Sequence, residues 1–288
     1  MAKQNVGRTA LGTAICRLIE QYEPDETRLF DDPIAKELVG APIRVMMQIA
    51  AMRKFTVKQT DAVAQGIFGA QICRTRYIDD AVQASLAKGV GQLVILGAGL
   101  DTRPYRLPGI EKVKVLELDL PAVQNDKRKK IEKFLGRLPA NVSLIPIDFD
   151  MEGPDEALAG TSFDPSRPTV FIWEGVSQYI PEAAVQRTLD FVGKSAPGSS
   201  LLFTYVLKSI IERRSDIPDA NHMLDTVAKT APWIFGLEPT SLATFLKPFQ
   251  LALVADAGNA DYQEKYLKPL GRKLVVFEGE RIVHATVG

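Results

Sequence analysis

The apolar positions of this chain fall into short continuous runs that alternate with longer segments of helical periodicity. Runs without polar alternation are typical of strands buried on both faces of a parallel sheet. The segments between them place apolar residues three and four positions apart, which indicates amphipathic helices. Six strands are predicted, over residues 93–96, 113–120, 142–147, 168–174, 200–205 and 251–255. The pattern therefore favours an α/β fold.

Helical periodicity and helix-start signals place the other elements. Two helices are expected to begin at proline, because Pro33 follows the acidic pair Asp31-Asp32 and Pro181 follows the fourth predicted strand. Segment 208–248 has helical stretches interrupted by prolines. An insertion at that point would lie over the strand ends, so it is interpreted, with residues 1–70, as a lid. Further helices are predicted over residues 9–21, 43–52, 71–88 and 126–138.

The first predicted strand ends in the turn Gly97-Ala98-Gly99, which marks a ligand site because glycine lets the backbone approach closely. The third glycine of the dinucleotide fingerprint is replaced by Thr102, and the carboxylate of Asp101 would repel a pyrophosphate. Asp119 ends the second strand about 20 residues later, the usual offset for an acid that binds ribose hydroxyls. A ligand with a ribose, an ammonium and no phosphate fits these features, and S-adenosylmethionine is such a ligand.

Composition narrows the class of partner. The 288 residues contain 35 basic and 35 acidic side chains, so no net field attracts nucleic acid or an anionic membrane. Cys16 and Cys73 are too few for a disulfide framework or a zinc site and are expected to be core thiols. No apolar run approaches a membrane span, and no signal pattern opens the chain. We expect a cytoplasmic protein that acts on a small molecule. The basic helix 126–138 is interpreted as a solvated outer face.

Three motifs carry a resemblance to a known family. Residues 96–103 read LGAGLDTR, residues 117–121 read ELDLP and residues 174–180 read EGVSQYI. In order and spacing they resemble the leucine carboxyl methyltransferase family of S-adenosylmethionine-dependent enzymes, over residues 8–288. The resemblance implies one Rossmann-like class I methyltransferase domain, 1–288, with a seven-stranded, mostly parallel sheet and a helical lid. Its parts would be the N-terminal lid segment 1–70, the cofactor-binding core 71–207, the lid insertion 208–248 and the closing strands 249–288.

One strand of a methyltransferase sheet runs antiparallel to the rest. Lys273–Phe277 and Arg281–Thr286 flank Glu278-Gly279-Glu280, a pattern that predicts a hairpin. One arm of this hairpin is expected to be the antiparallel strand.

The resemblance also implies roles for individual residues. Arg74, with Arg76 as the alternative, would bind the methionine carboxylate of the cofactor through its forked guanidinium. Asp148 and Phe149, at the end of the third strand, would meet the adenine, and Glu174 would face the sulfonium or the ammonium. Tyr179 matches the tyrosine of the family that lies on the substrate side. The full set of predicted cofactor residues is Arg74, Gly97, Gly99, Asp101, Asp119, Asp148, Phe149 and Glu174, with Tyr179 as the catalytic residue.

One departure from the family concerns the substrate. Asp150 stands where the phosphatase methyltransferases have an arginine. This difference speaks against the tail of a phosphatase as the substrate.

Methyl transfer from a sulfonium mainly requires the two reactants to be held in line. A carboxylate acceptor needs an orienting cation or hydroxyl, for which Arg103 or Arg106 is a candidate unless it forms surface ion pairs. A hydroxyl acceptor needs a base. His222 is the one plausible histidine base, since His284 falls in a predicted strand and is expected to be structural.

The leading hypothesis is an O-methyltransferase acting on a carboxyl or hydroxyl group of a small molecule, with no metal. Two alternatives are a nicotinamide-dependent oxidoreductase and a cofactor-binding protein without transferase activity.

Overall fold

A computed structural model describes the backbone of residues 2–229 and 231–288 and the side chains of residues 9–229 and 231–288. Met1 and Thr230, which fall in the two predicted lid segments, lie outside the described residues. The α-helices are α1 Ala2–Glu20, α2 Ala35–Leu38, α3 Ala41–Met47, α4 Ala50–Asp61, α5 Ile67–Ala87, α6 Arg103–Arg106, α7 Pro121–Leu135, α8 Pro154–Leu158, α9 Glu182–Gly193, α10 Lys208–Ile211, α11 Ala220–Ala228, α12 Leu242–Leu246 and α13 Asn259–Tyr262.

Seven strands form one sheet in the order β3-β2-β1-β4-β5-β7-β6. The pairs from β3 to β5 are parallel, whereas β7 runs antiparallel to both β5 and β6. The predicted Rossmann-like sheet with one antiparallel strand is therefore confirmed. The strands are β1 Gln92–Leu96, β2 Lys114–Asp119, β3 Val142–Pro146, β4 Val170–Trp173, β5 Ser200–Val206, β6 Leu251–Ala257 and β7 Glu280–Val287.

Both faces of the sheet are covered, which explains the continuous apolar runs. In β1, Leu93 and Ile95 pack on one face with residues of α1 and α5, while Val94 and Leu96 pack on the other face with residues of α9 and α12. All four side chains are at most 1% exposed. A strand buried in this way has no solvent face and therefore no alternation of polar residues. Cys16 and Cys73 are buried free thiols, as predicted.

Two predicted elements are wrong. Residues 273–277, all of them described, form no strand, so β7 has no hairpin partner on that side. This segment lies against the start of α5 instead, where the N–H of Phe277 donates to the carbonyl of Gly66 at 2.9 Å. A Cβ on Gly66 would lie only 2.6 Å from the nitrogen of Phe277, so the two backbones can meet because position 66 is glycine.

The predicted helix 43–52 is divided into α3 and α4. Ile49 is extended between them, with φ −88° and ψ 117°. The guanidinium of Arg53 donates to the carbonyls of Met47 and Gln48 at 2.7 and 3.0 Å, so it satisfies acceptors that the break leaves unpaired. Helical periodicity alone does not reveal this cap.

The basic helix, observed as α7, is not entirely a solvated face. Lys127 is 1% exposed and forms an ion pair with Glu117, which is fully buried in β2. A run of charged residues usually indicates a solvent-exposed helix face. Here Lys127 turns inward because Glu117 of the sheet supplies a buried carboxylate. Within residues 2–229 and 231–288, no helix combines the length and apolar character needed to cross a bilayer.

Candidate active site

A cavity of about 550 Å³ lies at the carboxyl ends of β1, β2, β3 and β4. Ligands of open parallel sheets bind at this edge, where the chain turns from strand to helix. The other walls come from α1, from the chain around α4 and α5, and from α11 with the residues that follow it. The structure brings all nine predicted site residues to this cavity: Arg74, Gly97, Gly99, Asp101, Asp119, Asp148, Phe149, Glu174 and Tyr179.

The turn after β1 is held by its own hydrogen bonds. Gly97 has φ +72°, and a Cβ at this position would lie 2.3 Å from a methyl carbon of Val176, so only glycine fits. The N–H groups of Gly97 and Ala98 donate to the carbonyl of Leu118 at 2.8 and 2.9 Å. The close approach of the turn to the end of β2 follows from these two bonds.

Asp119 fixes the same turn from the end of β2. Its Oδ2 accepts a hydrogen bond from the N–H of Gly99 at 2.5 Å, and its Oδ1 accepts one from the N–H of Leu120 at 2.6 Å. Burial raises the pKa of Asp119, and the two amides offset only part of that shift. A carboxylate offers about four lone-pair positions. Two positions therefore remain for the hydroxyls of a ribose.

Arg103 lies at the centre of a buried charge network. It is 3% exposed, and its side chain donates to Asp79, Asp101 and Glu174 over 2.6–2.7 Å. Burial opposes ionisation of Asp101, but the charges of Arg103 and Lys127 prevail and lower its pKa. Arg103 is absent from the walls of the cavity. The interpretation of Arg103 as a surface residue, or as one that orients an acceptor, is therefore wrong.

Arg106, like Arg103, is buried in ion pairs and does not reach the cavity. Its side chain is 4% exposed, and it donates to Asp79 at 2.8–2.9 Å and to the hydroxyl of Thr102 at 3.0 Å. It belongs to the buried network and does not line the cavity. The positions of these two arginines follow from the four-residue helix α6, which directs both of them toward α5.

Glu174 closes the network at the end of β4. Its Oε1 accepts from Nε of Arg74 and its Oε2 accepts from Nη1 of Arg103, both at 2.7 Å. Burial by itself would raise the pKa of Glu174, but the guanidinium groups of Arg103 and Arg74 outweigh it and hold the pKa at about 2. An ionised carboxylate at this strand end suits a neighbouring sulfonium or ammonium.

The structure distinguishes the two arginines proposed for the methionine carboxylate. Arg74 is 4% exposed and lines the cavity, whereas Arg76 pairs with Asp80 at 2.8 Å and lies outside it. Arg74 also forms an ion pair with Glu280. The sequence pattern did not identify Glu280 as a site residue, because Glu280 belongs to the turn of the predicted hairpin. Its position at the start of β7 brings it to the site.

Asp148 and Phe149 follow β3 and line the end of the cavity next to Asp119 and Leu120. The carbonyl of Phe149 accepts from Arg187 on α9 at 3.1 Å, which ties this loop to the opposite face of the sheet. The loop therefore has a fixed path where an adenine is predicted to lie.

The part of the cavity bordered by the start of α5 and by α11 with the residues that follow it is apolar. We call it the apolar compartment, and its walls are Val63, Ile67, Tyr179, Met223, Trp233 and Ile234. Burial raises the pKa of the Tyr179 hydroxyl. The side-chain oxygen of Gln178 is buried and makes no hydrogen bond to any described residue. The cavity therefore combines these apolar walls with a buried polar atom, the Gln178 oxygen, that is available to a ligand.

The two histidines do not serve this site. His222, on α11, is exposed and does not line the cavity, so the structure contradicts the idea of a histidine base at this position. His284 lies within β7 beside Leu202 and Ala255, and burial lowers its pKa. This position agrees with the structural role expected for His284.

Comparisons with known proteins agree with the geometry of the fold and site. Proteins of Mycolicibacterium gilvum and Mycolicibacterium smegmatis, both named “Putative S-adenosyl-L-methionine-dependent methyltransferase”, are 35% identical over 208 residues and 38% identical over 200 residues. The matches cover 70% and 68% of this chain, and the chain spans 66% of the length of each relative.

Solved structures support the fold. A crystal structure titled as a “putative methyltransferase” from Thermobifida fusca aligns with a TM-score of 0.62 and 16% identity, covering 83% of this chain and 89% of that chain. A DUF574 family protein from Streptomyces avermitilis aligns with a TM-score of 0.57 and 16% identity, covering 82% and 91%.

The sequence model of one family, described as leucine carboxyl methyltransferase, matches residues 10–193, which is more than half of the chain. The chain belongs to the leucine carboxyl methyltransferase family of S-adenosylmethionine-dependent enzymes, as its three motifs predict.

Proposed function

We propose that this chain transfers a methyl group from S-adenosylmethionine to an oxygen atom, of a hydroxyl or carboxyl group, on a small molecule. One observation carries the proposal: a continuous cavity joins all the predicted cofactor residues to the apolar compartment, whose walls come mainly from the two predicted lid segments. A donor and an acceptor can therefore lie end to end, which is the arrangement that in-line transfer needs.

The residues present fit this cofactor better than a dinucleotide. In dinucleotide-binding turns, free backbone N–H groups face the pyrophosphate. Here the N–H groups of Gly97, Ala98 and Gly99 already donate to Leu118 and Asp119. A phosphate would find these donors occupied and a carboxylate beside them. Together with the family, this arrangement speaks against the nicotinamide-dependent alternative.

The residues of the chain would bind and orient rather than react. Bound S-adenosylmethionine supplies an electrophilic methyl group. Asp119 would bind the ribose, Asp148 and Phe149 the adenine, and Arg74 with Glu174 the charged methionine end. Tyr179 is a wall of the apolar compartment, where its hydroxyl would contact the acceptor. The small-molecule acceptor, the absence of a nucleic-acid or membrane partner and the cytoplasmic location stay predictions.

Ligand-dependent thermal stability tests the cofactor half of this proposal. Ligand at about 100 times its dissociation constant should stabilise the protein by about 2.7 kcal/mol, which raises the melting temperature by several degrees. We expect this shift with S-adenosylmethionine and S-adenosylhomocysteine but not with NAD. A shift with NAD alone would contradict the proposal.

Transfer itself is tested with S-adenosylmethionine carrying a radiolabelled methyl group and a panel of hydroxyl and carboxyl compounds. Label in the extracted product supports the transferase. Tight binding without transfer to any member of the panel would favour the cofactor-binding protein instead.

A further inference from the structure

Glu280 is a charged residue of the cavity to which neither the motifs nor the family gives a role. It is the first residue of β7 and lies opposite Val206, at the carboxyl end of β5. Its side chain is 12% exposed and lines the cavity. Oε1 accepts a hydrogen bond from Arg74, whereas Oε2 bonds to none of the described residues. One carboxylate oxygen of Glu280 is therefore available to a ligand.

The groups around Glu280 come from four elements. Arg74 of α5 binds it directly, and Glu174 of β4 shares that arginine. Burial raises the pKa of both Tyr179 and Tyr262, and the nearby charge of Glu280 raises each pKa further. Since Tyr179 is a wall of the apolar compartment, Glu280 stands at the boundary between the predicted methionine site and this compartment.

The charge of the cavity disfavours an anionic acceptor. Arg17 and Arg74 are the two basic side chains among the described residues that line it, and both are already paired with carboxylates. A carboxylate acceptor would therefore meet like charge, whereas a hydroxyl can donate a hydrogen bond to a carboxylate. Carboxylates line the cavity at Asp101, Asp119, Asp148, Asp150, Glu174 and Glu280.

We propose that Glu280 accepts the proton of the acceptor hydroxyl and that the acceptor is a neutral phenol or enol with an apolar ring. This inference rests on the proposed function. The acceptor oxygen forms a bond to the methyl carbon as the sulfur–carbon bond breaks, and the hydroxyl proton moves to Oε2 of Glu280 and then to water. Because a carboxylate is a weak base, the hydroxyl must be acidic, which favours phenols and enols over alcohols. Val63, Ile67 and Trp233 offer apolar contacts to the ring.

A matched pair of acceptors, naphthol and naphthoic acid, tests the inference because they share a ring and differ in the accepting group. We expect naphthol to stabilise the protein loaded with S-adenosylhomocysteine and to be methylated, with naphthoic acid inactive in both assays. Glu280→Gln should lower kcat for naphthol about 100-fold, because the amide cannot take up the hydroxyl proton. Its Kd for S-adenosylhomocysteine should change less than about threefold, since the amide oxygen can still accept from Arg74.

Two further variants support the interpretation. Glu278→Gln makes the same change two residues away, at an exposed position outside the cavity, and should leave kcat unchanged. Glu280→Asp keeps the charge but withdraws it by one methylene, so its kcat should lie between those of the wild type and Glu280→Gln. Binding of S-adenosylhomocysteine verifies that each variant is folded.

Several results would overturn the inference. For Glu280→Gln, these are full turnover of naphthol, or a loss of cofactor affinity with kcat retained at saturation. For the wild type, they are preference for naphthoic acid, or binding of the cofactor without methylation of either compound. Failure of the wild type to bind S-adenosylhomocysteine would instead contradict the proposed function, so the two failures are distinguishable.

Discussion

Arg74 and Glu280 form an ion pair in the cavity although 206 residues separate them in the chain. Arg74 lies on the helix that precedes the first strand, and Glu280 opens the last strand of the sheet. Glu174 binds the same guanidinium at 2.7 Å. The arginine is therefore held in one orientation by two carboxylates before any ligand arrives.

Arg74→Lys should lower the affinity for S-adenosylhomocysteine about 10- to 100-fold. Lysine keeps the charge, but it cannot bind two carboxylates and also present a fork to a third. Isothermal titration calorimetry measures the effect. Arg76→Lys is the control, because Arg76 lies on the same helix and pairs with Asp80 outside the cavity. Equal affinity in both variants would mean that Arg74 has only a structural role.

Asp119→Asn should also weaken cofactor binding about 10- to 100-fold. The amide nitrogen of asparagine would face one of the two backbone N–H groups that now donate to Asp119, so one hydrogen bond would be lost. Hydrogen bonds to charged groups are worth about 1.5–3 kcal/mol. Adenosine, which has the ribose but no methionine part, should lose affinity in parallel. Asp126→Asn, at an exposed ion pair with Lys130, serves as the control. Unchanged adenosine affinity would contradict a ribose contact.

Lys127→Met should reduce the free energy of unfolding by about 3–5 kcal/mol, because it leaves the carboxylate of Glu117 buried without its partner. The double variant Lys127→Met/Glu117→Leu should recover much of this loss, since it removes both charges. Urea unfolding measures each variant. Losses that simply add in the double variant would show that the two side chains do not act as a pair.

The low pKa of Glu174 predicts an acid-dependent stability. In the folded protein its pKa is about 2, below its ordinary value of 4.5, so below pH ~4.5 the unfolded chain takes up a proton that the folded protein does not. The stabilising contribution is present above this range and is lost as the pH falls toward 2. Glu174→Gln lacks this titrating carboxyl group. Between pH ~6 and pH ~2, its free energy of unfolding should therefore fall by about 3 kcal/mol less than that of the wild type.

Urea unfolding of wild type and Glu174→Gln between pH ~6 and ~3 measures the part of this difference that can be reached. Glu132→Gln, whose carboxylate is 43% exposed, is the matched control and should follow the wild type. Parallel curves for wild type and Glu174→Gln would contradict the assigned ion pairs.

Local patterns predicted the elements that depend on local physics. A strand buried on both faces must be apolar throughout, as Leu93–Leu96 is, and a tight turn under a ligand must be glycine, as at Gly97. The order of these elements, the carboxylates at the strand ends and the resemblance to the family together predicted all nine candidate residues, which the structure brings to one cavity. The break at Ile49 depends instead on the hydrogen bonds of Arg53, and the path of residues 273–277 depends on the contact with Gly66. Neither contact follows from the spacing of apolar residues.

The sequence by itself determined the fold class, the turn that follows the first strand and the family, because these rest on the spacing of neighbouring residues. Only the tertiary structure decided which charges meet. It turned Lys127 inward, buried Arg103 among three carboxylates and brought Glu280 to Arg74. Ion pairs of this kind join residues from different elements. Their energy depends on distance and burial, and a local sequence pattern determines neither quantity.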